Sequence, residues 1–163
     1  MTYDIIGDVH GHLDALLAVL AELGYRAERD WKHPDGRTLV FLGDLVDRGP
    51  QSLAVVELVR GLVESGRAIC LMGNHEFNLL AELCGEREAT TYSQKPAIDR
   101  EPEAWAAALD FLRVLPVAIE LPDLRMVHAC WHSRCLERSL SHGPSAPAGA
   151  TEAVRHLYDH VVV

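Results

Sequence analysis

Three short runs in this sequence, Tyr3 to Gly7, Thr38 to Leu42 and Ala68 to Met72, each lead straight into a glycine-marked motif. The motifs are Gly7-Asp8-Val9-His10-Gly11, Gly43-Asp44-Leu45-Val46-Asp47-Arg48-Gly49 and Gly73-Asn74-His75-Glu76. Between the runs the apolar residues change period. Leu13, Leu16, Leu17, Leu20 and Leu23 recur at helical spacing and stop at Gly24; Leu53, Val56, Leu58, Val59, Leu62 and Val63 do the same and stop at Gly66. Pro34-Asp35-Gly36 signals the turn into the second run, and Pro50 suits the first turn of the second helix. Successive strands separated by helices pair in parallel through crossovers, which delivers all three motifs to one edge of a sheet. Thr38 to Leu42 is apolar enough to be buried on both faces.

The remainder predicts a helix from Gly73 through Phe77, Leu79, Leu80 and Leu83, then a polar surface loop from Gly85 to Arg100. A helix around Trp105 to Leu115 stops before Pro116. Val117 to Leu121 and Leu124 to Ala129 form a close hairpin about Pro122-Asp123, which adds antiparallel character. Ser141 to Ala150 is a loop, and Thr151 caps a last short helix. The final Val161-Val162-Val163 is either a strand tucked into the sheet or a chain that ends in mid-fold. With 163 residues and 48% hydrophobic content the chain supports one core, and a single domain over residues 1–163 is the expectation.

No apolar stretch approaches the roughly 18 residues of a membrane span, and the N-terminus lacks a signal-peptide pattern. Cys70, Cys84, Cys130 and Cys135 show no CxxC pairing, which favours free thiols in the cytoplasm. A net charge of −9 argues against nucleic acid as a required partner. It does not argue against a phosphorylated substrate, because bound divalent cations would reverse the local sign.

Asp8 and His10, two apart, project to one side of extended backbone and can offer an oxygen and a nitrogen to one cation. That pairing suits manganese, iron or zinc better than calcium or magnesium. Asp44, at a strand end, can use both oxygens to bridge two metals roughly 3.5–4 Å apart. Asp47 is better placed to orient a neighbour, and Arg48 presents a planar fork of donors to phosphate oxygens. Asn74 offers a neutral amide oxygen. His75 can protonate a leaving oxygen while Asp47 accepts from its other ring nitrogen. Glu76 suits the first turn of a helix, where its charge complements the dipole. His128, in Val127-His128-Ala129, brings a further imidazole to the same edge.

As a set, these motifs resemble the calcineurin-like metallophosphoesterase superfamily. Asp47-Arg48-Gly49 and Asn74-His75-Glu76 resemble its phosphoprotein-phosphatase branch, which includes bacterial protein phosphatases and symmetrical dinucleoside-tetraphosphate hydrolases. The resemblance runs from residue 7 to about residue 131. It implies an α/β fold: a metallophosphoesterase-like β-sandwich of mixed sheets flanked by helices. It also implies two divalent metal ions, manganese first, with iron or zinc as alternatives. Asp8, His10 and Asp44 would hold one; Asp44, Asn74 and His128 would hold the other. Arg48, Asn74 and His75 would bind substrate, and His75, Asp47 and Arg48 would be catalytic. The implied reaction is hydrolysis of a phosphomonoester or phosphoanhydride by in-line attack of a metal-bridging hydroxide. Its substrate would be a phosphorylated small molecule or a phosphoprotein. One departure stands out: the family closes its second metal site with a later histidine in a Gly-His pair, and none follows His128 here. This tilts the Val161-Val162-Val163 ending towards a C-terminally truncated domain lacking its last strands, prone to self-association. It also opens the alternative of a catalytically impaired metal- and phosphate-binding module.

Overall fold

The computed structural model describes residues 2–132 and the backbone of residues 155–156. Strand β1 (Tyr3–Ile6), helix α1 (Leu13–Glu22), β2 (Thr38–Phe41), α2 (Ser52–Glu64) and β3 (Ala68–Cys70) alternate as the periodicity predicts. They form a parallel sheet in the order β1-β2-β3. Its register sets Ile6 opposite Phe41 and Phe41 opposite Cys70, so the three strands finish level. The loops that follow them therefore lie side by side, and these loops carry the three motifs.

Helix α3 (Asn74–Leu83), α4 (Lys95–Arg100) and α5 (Pro102–Arg113) follow, then the hairpin β4 (Ala118–Leu121) and β5 (Leu124–Val127). A two-residue strand, β6 (Arg155–His156), completes an antiparallel sheet in the order β5-β4-β6. The sheets pack face to face. Val40 of β2 and Leu71 meet Ile119 of β4 and Met126 of β5, with Tyr3, Leu42, Ile69, Leu121 and Leu124 around them. Leu39 and Phe41, the alternate side chains of β2, point into the other core with Leu16, Leu20, Val55, Val59, Trp105 and Leu112 from the helices. Leu39, Val40 and Phe41 are all fully buried, which is why β2 carries no polar alternation. On the outer face of the hairpin, Glu120 lies opposite Arg125 and pairs with it.

Several expectations need correction. The polar segment after Gly85 is not loop throughout, because α4 occupies Lys95–Arg100. Pro96 sits in its first turn, where no amide donor is needed, and Ile98 is buried as its anchor. Leu17 points outward at 37% exposure, since Leu16 and Leu20 define the buried stripe of α1. A 3₁₀ turn at Ala27–Arg29 had no signal. Of the helix expected after Thr151, only Arg155 and His156 are described. They are extended because the open edge of β4 offers backbone partners, Ile119 opposite His156 and Glu120 opposite Arg155. The Ser141 to Ala150 loop, Cys135 and Val161-Val162-Val163 lie outside the described residues. No described helix is long and apolar enough to cross a membrane.

Because Ile119 is wholly enclosed between the sheets, Ile119→Ala is expected to lower stability by about 2–5 kcal/mol. Urea unfolding midpoints check this, and an unchanged midpoint would contradict the packing.

Candidate metal centre

Backbone hydrogen bonds first zip the motif loops together. Val9 and His10 donate N–H to the Asp44 carbonyl at 3.0 and 2.8 Å, Gly11 donates to Leu45, and Gly49 donates to His10. The Glu76 carboxylate then ties the second loop to the third. Its Oε2 accepts from Asp44 N at 2.7 Å and Gly73 N at 3.0 Å; its Oε1 accepts from Leu45 N at 2.7 Å and Val46 N at 3.1 Å. Glu76 is fully buried, so its role is larger than the dipole partner expected of it. Burial pushes its carboxyl above the ordinary range and the Asp44 charge adds to this, while the backbone donors pull the other way.

Close approach of these loops leaves no space for side chains at two glycines. A Cβ at Gly43, where φ is +99°, would run into the Gly73 amide, and one at Gly73 would run into Asp44 Oδ1. The turn also holds His10, Asp44, Asp47 and Arg48 at positive φ, between 47° and 71°. Asp and His tolerate that region better than most residues, so the strain at Arg48 is held by the surrounding bonds.

The predicted ligands converge on Asp44, which is 3% exposed. His10 Nε2 lies 3.7 Å from Asp44 Oδ2 and 3.5 Å from Asp8 Oδ2. His128 Nε2 lies 3.5 Å from Asp44 Oδ1 and 3.0 Å from Asn74 Oδ1. Asp8 and Asn74 are exposed at the rim. Two groups of three could each hold an ion: Asp8, Asp44 and His128, or His10, Asp44 and His75. Arg48 projects into solvent and makes no hydrogen bond or ion pair with the described residues.

The ring nitrogens show what this cluster is suited to hold. His10 Nδ1 donates to the Val46 carbonyl at 3.0 Å, and His128 Nδ1 donates to the Leu42 carbonyl at 2.9 Å. A carbonyl can only accept, so each Nδ1 carries a proton and each ring turns Nε2 inward. His10 Nε2 is buried with no hydrogen-bond partner among the described residues, facing two carboxylates. His128 Nε2 faces an amide oxygen and a carboxylate. Imidazole nitrogens gathered around carboxylate and amide oxygens are a donor set that fits a divalent cation, and the carbonyls are the outer partners such ligands use. His75 differs. Its Nδ1 donates to Asp47 Oδ2 at 2.7 Å, its Nε2 is 3.9 Å from Asp44 Oδ2, and its ring meets that of His10 edge-on. A carboxylate opposite Nδ1 fixes the orientation of the ring.

Several contributors carried no recognised signal. Ser52 Oγ accepts from Asp47 N at 3.1 Å, and Gln94 Nε2 lies 3.3 Å from Asp47 Oδ1. The spacing of Gly73 and Glu76, a helix-cap position and its third helical residue, could have pointed to the reach of Glu76 back to the Gly73 amide. Cys70 is buried behind the site, where burial and the Glu76 charge keep its thiol protonated.

The chain matches the family model described as calcineurin-like phosphoesterase over residues 1–147. It is 47% identical over 136 residues to the asymmetrical bis(5'-nucleosyl)-tetraphosphatase PrpE of Halalkalibacterium halodurans, a match covering 78% of this chain and 55% of that protein. It is 34% identical over 125 residues to the symmetrical bis(5'-nucleosyl)-tetraphosphatase of Vibrio cholerae, covering 77% and 43% respectively. Among solved structures, the cold-active protein-tyrosine phosphatase of a psychrophilic Shewanella species aligns with a TM-score of 0.57 at 23% identity. That alignment covers 84% of this chain and 46% of that one and bears on the fold alone. The chain spans about half the length of the curated relatives it matches.

Truncating Glu76 leaves four buried amides without their acceptor. Glu76→Ala is therefore expected to lower stability by roughly 3–5 kcal/mol. Thermal unfolding of the variant beside the parent checks this, and an unchanged transition would show that the loops do not depend on the carboxylate.

Proposed function

Because this chain belongs to the calcineurin-like phosphoesterase family and packs a parallel sheet against an antiparallel one, we propose that it hydrolyses a phosphate ester or anhydride with two divalent cations. One observation carries the proposal. His10 and His128, each locked by a backbone carbonyl, aim Nε2 at opposite oxygens of the Asp44 carboxylate. Asp8, His10 and Asp44 would hold one cation; Asp44, Asn74 and His128 would hold the other. Manganese heads the candidates, with iron and zinc behind it, for a donor set mixing imidazole and carboxylate. When bound, such ions supply Lewis-acid charge and an activated water for attack on phosphorus.

The chain's own groups do the rest. Arg48, without a side-chain partner among the described residues, holds the phosphoryl oxygens through its planar fork. Asn74, at the rim, faces the same oxygens. His75, kept by Asp47 in the tautomer with its proton on Nδ1, takes a second proton on Nε2 and gives it to the leaving oxygen. The substrate favoured by the names of the relatives is a dinucleoside tetraphosphate, whose anhydride is cleaved by the same displacement as a phosphomonoester. Free thiols at Cys70, Cys84 and Cys130 support a reducing compartment, the cytoplasm. Residues 1–163 serve as one domain in this reading.

A second reading has its own observation. Among the described residues the second cation has only one imidazole, His128, beside Asp44 and Asn74, with Asp8 near. One bound ion per chain with no turnover would favour a metal- and phosphate-binding module over an enzyme.

Metal-free protein resupplied with manganese is expected to hydrolyse p-nitrophenyl phosphate and diadenosine tetraphosphate. Asp44→Asn should reduce turnover and bound metal by at least about a hundredfold. Full activity of that variant without metal would sink the proposal. His75→Ala and Asp47→Asn should each lower kcat for phenyl phosphate, whose leaving oxygen needs a proton, by about 10²–10⁴ with little change in metal content; parent-like rates on that ester would remove both from the mechanism.

A further inference from the structure

Asp47 has two carboxylate oxygens, and His75 occupies only Oδ2. The other, Oδ1, accepts from Nε2 of Gln94 at 3.3 Å, and the second hydrogen of the same amide goes to the Tyr92 carbonyl at 3.2 Å. Both partners are acceptors, so the nitrogen end of Gln94 must face them and the orientation of the amide is fixed. Gln94 is itself well seated. It forms the N-cap of α4, where its carbonyl accepts from Ala97 and Ile98 at 2.9 Å. Its neighbour Ser93 donates to Glu82 at 2.7 Å and accepts from Lys95 N at 3.0 Å, and Ile98 anchors the helix in the core. On the other side the Asp47 amide is held by Ser52.

A carboxylate bonded through one oxygen is free to turn about its last torsion, which is broad and roughly two-fold. Tying the second oxygen removes that freedom. We propose that Gln94 is a positioning residue that clamps Asp47 and, through it, holds the His75 imidazole in place to protonate the leaving group. The proposal rests on the proton-donor reading of His75. It makes the segment between α3 and α4 part of the reaction geometry.

The test uses the full chain loaded with manganese and a series of esters from p-nitrophenyl phosphate to phenyl phosphate. A nitrophenolate leaves without a proton, whereas a poorer leaving oxygen needs one. Gln94→Ala is expected to lower kcat for phenyl phosphate by about tenfold and for p-nitrophenyl phosphate by no more than about twofold, with KM and metal content unchanged. Gln94→Glu, of the same shape but opposing Asp47, should lower it further. Neither variant should add to the loss in a His75→Ala background. In the metal-free protein, Gln94→Ala should shift the His75 Nδ1–H proton resonance and leave those of His10 and His128 in place.

An equal loss for all esters, no loss for any, or an unmoved His75 resonance would overturn the clamp. A parent chain that cleaves no ester while the resonance still moves would overturn the phosphoesterase reading and support the clamp.

Discussion

Glu76 lies at the third position of α3, fully buried, and accepts N–H groups from Asp44, Leu45, Val46 and Gly73. A buried carboxylate is costly unless its oxygens are satisfied, and here both are. Each bond to a charged acceptor contributes about 1.5–3 kcal/mol, and the four together draw two strand-end loops into one surface. The consequence is local and geometric. The turn that presents Asp44 at a φ of 53° is closed from behind by Glu76, and from beside by the amides of Val9 and His10 on its carbonyl. Asp44 Oδ1 also accepts from the His75 amide at 3.0 Å, which orients the carboxylate.

Around that fixed carboxylate the three imidazoles divide by what holds Nδ1. For His10 and His128 the partner is a neutral carbonyl, from Val46 and Leu42, which turns Nε2 toward Asp44 and suits the ligand role proposed for it. For His75 the partner is the Asp47 carboxylate, which suits the proton-donor role proposed for it. In that proposal the same side chain takes two roles through its outer partner. The carbonyls come from the end of β2 and the turn beyond it, so the strand that organises the core also sets the tautomers of the site.

Much of this was legible in the sequence for definite reasons. The apolar run from Thr38 to Leu42 and the change to helical spacing on either side are enough for a buried central strand with crossovers. Level strand ends then place Asp8, His10, Asp44, Asn74 and His75 together, and the hairpin after Pro116 adds His128. Interactions that depend on tertiary contact were not legible. Nothing in the spacing says that Glu76 turns back to three amides some thirty positions away, or that Gln94 reaches Asp47. Helix α4 was concealed by polar neighbours, because one buried residue, Ile98, is too little periodicity to detect. The pairing of β6 depends on an open strand edge, which local propensity does not record.

In the proposed centre Asp44 lies between two cations. Anomalous diffraction from crystals of this chain grown with manganese tests that directly. Two peaks roughly 3.5–4 Å apart, one beside His10 Nε2 and one beside His128 Nε2, with Asp44 between them, are the expected result. No peak, or a single peak touching only one of the two imidazoles, would contradict it.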